Sequence, residues 1–155
     1  MNAEQLQKTL IASQYAEQVL SLYQIQLEQD YGEDQFLQSL STENIHQKVQ
    51  DVLANLTDEQ AWMKALRALR AKLMFRWIWQ DANQLTNVVT LTRELSDFAD
   101  ASICAAKAFA LPPLLAKHGE PMSDSGQLQD LQVIGMGTLG AQQLNLTRDI
   151  DLIFD

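Results

Sequence analysis

Through its first 118 residues the chain repeats apolar side chains at close to the 3.6-residue period of an α-helix, and beyond residue 130 that period is gone. No other feature narrows the possible folds as much. Between Glu4 and about Gln29, Leu6, Leu10, Tyr15, Val19, Leu22, Tyr23 and Leu27 recur at spacings mostly of three to five, which predicts one amphipathic helix stopped by "DYGED". A short apolar cluster of Phe36, Leu37 and Leu40 follows. "STENIHQKVQDVLANL" then predicts a second helix capped by Ser41 or Thr42, whose hydroxyl can accept from a free first-turn amide.

The next start signal is the clearest. "TDEQ" places Thr57 as an N-cap with Gln60 three residues on, a capping-box pattern, and Asp58 and Glu59 suit the positive end of the helix dipole. This helix is predicted to reach about Ala82, with Trp62, Leu66, Leu69, Leu73, Met74, Trp77 and Ile78 inward and Lys64, Arg67, Arg70, Lys72 and Arg76 around the other sides. A further helix is predicted from near Thr86 through "VVTLTRELSDFADASICAAKAFAL", with Val89, Leu91, Leu95, Phe98, Ile103 and Phe109 as core candidates. Pro112 and Pro113 should interrupt it, because proline has no amide proton and its ring clashes with the preceding turn. The Gly-, Pro- and Ser-rich "GEPMSDSGQ" marks a break. The organisation expected is a helical domain over 1–118, a linker over 119–130 and a second unit over 131–155.

In that second unit "LQVIGM" and "DIDLIF" read as strands. Strand alternation then turns Ile150, Leu152 and Phe154 one way and Asp149 and Asp151 the other. Two carboxylates held side by side suit a hard cation such as Mg²⁺, which takes oxygen ligands and completes its shell with water and phosphate oxygens. Ahead of them, "GMGTLGA" sets Gly135, Gly137 and Gly140 where backbone amides can approach a phosphate.

Composition narrows the partners. Of 155 residues 46% are hydrophobic and 20% charged, which is globular, and the net charge of -9 is unevenly placed. Residues 1–60 hold ten acids against Lys8 and Lys48, residues 61–118 eight bases against four acids, and the remainder six acids against Arg148. That acidity argues against general nucleic-acid binding. No uninterrupted apolar run reaches the roughly 18 residues of a bilayer span, and the N-terminus lacks a secretory pattern, so no membrane and a cytoplasmic location are expected. Cys104, alone among alanines, reads as a small buried side chain, and His46 and His118 sit in no ligand-spaced cluster.

Taken together, the strand, the small-residue turn and the acid-x-acid strand resemble the nucleotidyltransferase superfamily typified by DNA polymerase β. More closely, "GMGTLGAQQLNLTRDIDLIF" resembles the signature of glutamine synthetase adenylyltransferase/adenylyl-removing enzymes. The upstream "MKALRALRAKLMFRWIWQD" and "LTRELSDFADASICAA" hold the same relative places as two helices of that family. The match is specific over the last twenty residues, looser over 60–110, and only generically helical before 55. Thr138 stands where the family usually has lysine, Ala141 where it has glycine, Gln143 where it has glutamate, and Thr147 and Arg148 where it has two serines.

The resemblance implies a mainly α fold: an N-terminal helical bundle followed by the first two strands of an incomplete α+β nucleotidyltransferase domain. It implies that Asp149 and Asp151 are catalytic metal ligands for Mg²⁺, and that Gly135, Gly137, Thr138, Gly140 and Arg148 hold nucleotide (ATP or ADP) and phosphate. Glutamine synthetase would be the protein partner, with the nitrogen regulatory PII protein as a second. The front position of the helices points to the half that removes AMP by phosphorolysis. A third carboxylate of the superfamily would come from a later strand, so little or no turnover is expected of this chain alone. The alternatives are a non-catalytic helical interaction module or relic, or a related protein-modifying nucleotidyltransferase.

Overall fold

The computed structural model describes residues 2–30, 37–147 and 149–155. Phe36, most of the "DYGED" stop and Arg148 lie outside the described residues. The fold is mainly α. Helices α1 (Ala3–Ala12), α2 (Gln14–Asp30), α3 (Thr42–Leu53), α4 (Glu59–Ala82) and α5 (Val88–His118) precede β1 (Val133–Gly135), a short α6 (Gly137–Gly140) and β2 (Leu152–Phe154).

The first predicted helix is two. Ser13 takes extended torsions (φ -150°, ψ 111°) between α1 and α2, and its hydroxyl accepts from the Ala16 amide at 3.2 Å, so a serine within the apolar period acts as a cap. Tyr23 adds a kink inside α2 (φ -129°, ψ 15°). The break redirects the buried face: Thr9, Ala16, Val19 and Leu27 are buried, while Leu22 stays 72% exposed. Asn83 secures α1 from the far end of α4, its Nδ2 donating to the Gln5 carbonyl and to Thr9 Oγ1, each at 3.1 Å.

Capping follows the prediction at α3, where Ser41 Oγ accepts from the Asn44 amide at 3.2 Å. At α4 it shifts by one residue. Asp58, not Thr57, is the N-cap, with Oδ2 accepting from the Ala61 amide at 2.7 Å; a carboxylate there satisfies the amide and meets the dipole at once.

Helix α4 is the axis of the bundle, with α1 and α2 on one side and α3 on another, while α3 also packs on α5. Its second half is enclosed all round, so every residue over 73–80 is buried, including Arg76 and Gln80. Arg76, predicted on an outer side, is instead fully buried. Its NH1 pairs with Glu94 Oε2 at 2.9 Å and its NH2 donates to the Gln38 carbonyl, so both of its outer nitrogens are partnered. Trp77 and Phe98 meet edge-on at a centroid distance of 6.0 Å, and Trp62 lies against Phe109 at 5.1 Å. Leu91, Leu95 and Phe98 join the core as predicted, Ile103 and Phe109 pack at its margin, and Val89 is exposed.

Helix α5 runs through Pro112 and Pro113 without a break and ends at Gly119 (φ 81°), whose amide donates to the Leu115 carbonyl at 2.8 Å. Proline's fixed φ is itself helical. What the pair costs is two amide hydrogen bonds, and both rings lie on the exposed side, where water can reach the released carbonyls. By length and mean hydropathy (1.3 over its best window, 17% of that window buried), α5 also has the dimensions of a membrane span. Asp100 and Lys107 interrupt its apolar run. Cys104, predicted buried, is exposed on this helix.

Past α5, Met122 and Leu128 bridge in a small antiparallel turn closed by the Gly126 amide on the Ser123 carbonyl at 2.9 Å. Lys107 Nζ ties the segment back to the helix through Asp130 Oδ2 and the Leu131 carbonyl, both at 2.7 Å. β1 and β2 pair antiparallel, with Val133 opposite Phe154, Ile134 opposite Ile153 and Gly135 opposite Leu152. Both strands are shorter than the apolar runs that predict them. Hydrogen bonds between Gln132 and Asp155 extend the pairing at one end, and the Met136 amide donates to the Asp151 carbonyl at 2.9 Å at the other.

Candidate functional site

The site is built from the turn after β1 and the segment that leads into β2. Gly135 ends the strand, and the chain turns at once into α6. Gly137 begins α6 at φ 56°, a torsion that an L side chain strains to adopt. A Cβ on Gly140 would run into the Gly135 carbonyl oxygen, and one on Gly135 would press on the Leu139 side chain at 3.0 Å. The glycine spacing therefore closes the helix against the strand end. Leu139, 2% exposed, is the apolar plug of that turn.

Residues 141–147 then cross α5. Gln142 Nε2 donates to Asp100 Oδ2 at 3.0 Å, and the buried Leu144 amide donates to Ser96 Oγ at 3.2 Å. Ser96 Oγ in turn donates to the Thr92 carbonyl at 2.8 Å, so this one hydroxyl anchors the loop to the helix without leaving a polar group unsatisfied. Asn145 Oδ1 accepts from the Thr147 amide at 3.0 Å and shapes the last bend before the acidic residues.

Asp149 and Asp151 are both exposed, and among the described residues neither carboxylate has a hydrogen-bond or ion-pair partner. The prediction puts them inside a strand; in the structure they lie in the lead-in to it, since β2 begins at Leu152. Only the Asp151 carbonyl enters the ladder. Asp149 and Ile150 together line a cleft of about 420 Å³ between α4 and α5, and Asp151 does not line it. Thr138 is half-buried in α6, where its carbonyl accepts from the Gln143 amide at 2.8 Å. Gly137 and Gly140 are exposed, Gly135 is half-buried, and Arg148 lies outside the described residues.

That cleft has an apolar floor of Met74, Trp77, Leu95 and Phe98. Its rim carries Arg67 and Arg70 from α4 beside Asp149. The two arginines are not among the site residues that the sequence motifs single out. Their three-residue spacing on one helix face is the signal that was available, but nothing in the sequence says which face meets the acidic segment.

The donor chemistry suits a hard cation incompletely. Among the described residues no group of three or more His, Cys, Asp or Glu side chains gathers to hold a metal ion. Asp149 and Asp151 supply oxygen ligands alone, which fits Mg²⁺ held through one or two carboxylates plus water and substrate phosphate, and does not fit an all-protein cage.

The chain matches the family described as glutamate-ammonia ligase adenylyltransferase over residues 3–155. It is 70% identical over 154 residues to a bifunctional glutamine synthetase adenylyltransferase/adenylyl-removing enzyme of Acinetobacter baylyi, an overlap of 99% of this chain and 17% of that protein. Proteins of the same description from Thioalkalivibrio sulfidiphilus and Haemophilus ducreyi are 38% and 36% identical over 107 and 111 residues, covering 69% and 72% of this chain and 11% and 12% of theirs. The chain thus spans under a fifth of the length of each of these relatives.

Proposed function

Because the chain belongs to the glutamate-ammonia ligase adenylyltransferase family, we propose that it contributes helical scaffold and the first acidic pair of a catalytic site that acts on glutamine synthetase. The observation that carries this reading is the acidic pair itself. Asp149 and Asp151 are exposed, unpaired among the described residues, separated by one residue, and joined to the glycine turn through the Met136 to Asp151 hydrogen bond.

The proposed reaction is phosphorolytic removal of AMP. An oxygen of inorganic phosphate attacks the adenylyl phosphorus, the bond from that phosphorus to the modified side chain of glutamine synthetase breaks, and the products are ADP and the unmodified protein. Asp149 and Asp151 hold Mg²⁺, which when bound neutralises charge on the phosphate oxygens. Amides of the turn at Gly137 and Thr138 orient phosphate, with Gly135 and Gly140 keeping that turn tight. Thr138 offers a hydroxyl and no charge, so cationic help has to come from elsewhere, Arg148 being one source.

Two carboxylates are fewer than a two-metal phosphoryl-transfer site uses, so turnover by this chain alone is expected to be negligible. Incubation with adenylylated glutamine synthetase, phosphate and Mg²⁺ should release no ADP, and release of ADP would overturn that expectation. Mn²⁺ binding, read from water-proton relaxation, should be present in the chain and lost in the D149N/D151N variant; equal binding by both removes the metal assignment. The shortage of a third acid among the described residues favours one other reading, a docking module without chemistry of its own. It predicts that the chain binds glutamine synthetase and that D149N/D151N leaves that binding unchanged.

A further inference from the structure

Helix α4 carries two cations at the mouth of the cleft that no pattern in the acidic segment accounts for. Arg67 and Arg70 are exposed and three residues apart, so their side chains leave the same helix face. Among the described residues Arg70 has no ion-pair or hydrogen-bond partner, and Arg67 has only the weak acceptor Met63 Sδ at 3.9 Å. The chain has a net charge of -9, and its carboxylates outnumber its cations 20 to 11. Four other bases are paired, Lys8 with Glu4, Arg76 with Glu94, Arg93 with Asp97 and Lys107 with Asp130, while the exposed Lys64 and Lys117 have no partner among the described residues.

Below these two guanidinium groups lies the apolar floor of Met74, Trp77, Leu95 and Phe98. The cleft's volume, about 420 Å³, falls within the range of roughly 300–1,000 Å³ usual for small-molecule sites. An apolar pocket with planar cations on one lip is complementary to a molecule with a flat, weakly polar body and an anionic end. Guanidinium groups pair bidentately with carboxylate and phosphate alike, and two of them on one helix face match the multiple negative charges of a phosphate chain better than the single charge of a carboxylate. Among the described residues the only anion lining the cleft is Asp149.

We propose that Arg67 and Arg70 are phosphate-binding residues and that the cleft between α4 and α5 takes a mononucleotide, its base on the apolar floor and its phosphates at the arginine lip beside Asp149. The inference deepens the functional reading above and rests on it for the relevance of a nucleotide. It adds two site residues that lie about 80 positions ahead of the acidic pair. It also supplies, from α4, the positive charge that Thr138 does not.

The test titrates the chain with ADP in EDTA, following tryptophan fluorescence and equilibrium dialysis, so that no divalent ion takes part. Saturable binding is expected, competed by inorganic phosphate, and weakened about tenfold or more in the R67Q/R70Q variant. Adenosine, which lacks the phosphates, should bind both proteins equally. The K8Q/K117Q variant, with the same net charge change at two exposed lysines that are on helices other than α4 and do not themselves line the cleft, should retain wild-type affinity for ADP. Absence of saturable ADP binding, equal affinity in R67Q/R70Q, or equal weakening in K8Q/K117Q each overturns the proposal. Both arginines are exposed, and circular dichroism with a denaturation midpoint verifies that R67Q/R70Q is folded. Mn²⁺ relaxation on the same samples reports on Asp149 and Asp151 separately, so loss of the arginine site and loss of the metal assignment are told apart.

Discussion

Trp77 Nε1 donates to Glu94 Oε2 at 2.7 Å, and the same oxygen receives Arg76 NH1 at 2.9 Å. The other carboxylate oxygen accepts the Leu40 amide at 2.8 Å, so one buried glutamate joins α4, α5 and the loop ahead of α3. Replacing Glu94 by alanine strands a buried guanidinium and a buried indole N–H together. Glu94→Ala should therefore destabilise the chain by about 3–5 kcal/mol, seen as a lower urea midpoint. Glu94→Gln keeps an acceptor for the indole and loses the charge pairing, so its midpoint should fall between the alanine variant and the wild type.

The loop that carries the acidic pair is fixed to α5 by the Ser96 hydroxyl and by the Asp100 carboxylate that Gln142 meets, and of the two the serine is the buried one. Ser96→Ala leaves the buried Leu144 amide without its partner, which should cost about 1–3 kcal/mol. The loss should be local as well as global. Hydrogen exchange at Leu144 should quicken more than exchange in α3.

Which residue caps α4 can be decided by two alanine variants. Asp58→Ala should lower stability by about 1 kcal/mol, since Asp58 holds the Ala61 amide. Thr57→Ala should stay within about 0.5 kcal/mol of the wild type. Equal denaturation midpoints for the two variants would count against the capping geometry.

Gly140→Ala tests the closure of the turn. The added Cβ meets the Gly135 carbonyl oxygen, which is backbone and cannot swing aside. A cost of about 1–3 kcal/mol is expected, with displaced amide resonances at Gly135 and Asp151. Gly137→Ala meets open space and should cost only the positive-φ strain, about 1 kcal/mol.

The two prolines of α5 lie in a continuous helix, so replacing them should help it. Pro112→Ala/Pro113→Ala restores two amide donors at exposed positions and should raise stability by about 1–3 kcal/mol, below the full propensity difference because proline also restricts the unfolded chain. A drop in thermal midpoint would show instead that the prolines serve packing.

Much of this protein could be read from order along the chain. Apolar spacing settles on its own where α3, α4 and most of α5 run, because a helix closes its hydrogen bonds within four residues and needs no distant partner to declare its period. The glycine turn and the Asp-x-Asp pair are legible for a similar reason, being local patterns of residue type. Local pattern fails where a neighbour decides. Ser13 breaks the first helix, Asp58 displaces Thr57 as cap, and Arg76 goes into the core because Glu94, eighteen residues away, is there to meet it. Only the tertiary fold brings Asp149 to line the same cleft as Arg67 and Arg70. A helix's period reveals that these arginines share a face; which segment arrives in front of that face depends on how residues 141–147 cross α5, and that path is held by the buried Ser96, the Gln142 to Asp100 hydrogen bond and the packing of Leu139 and Leu144.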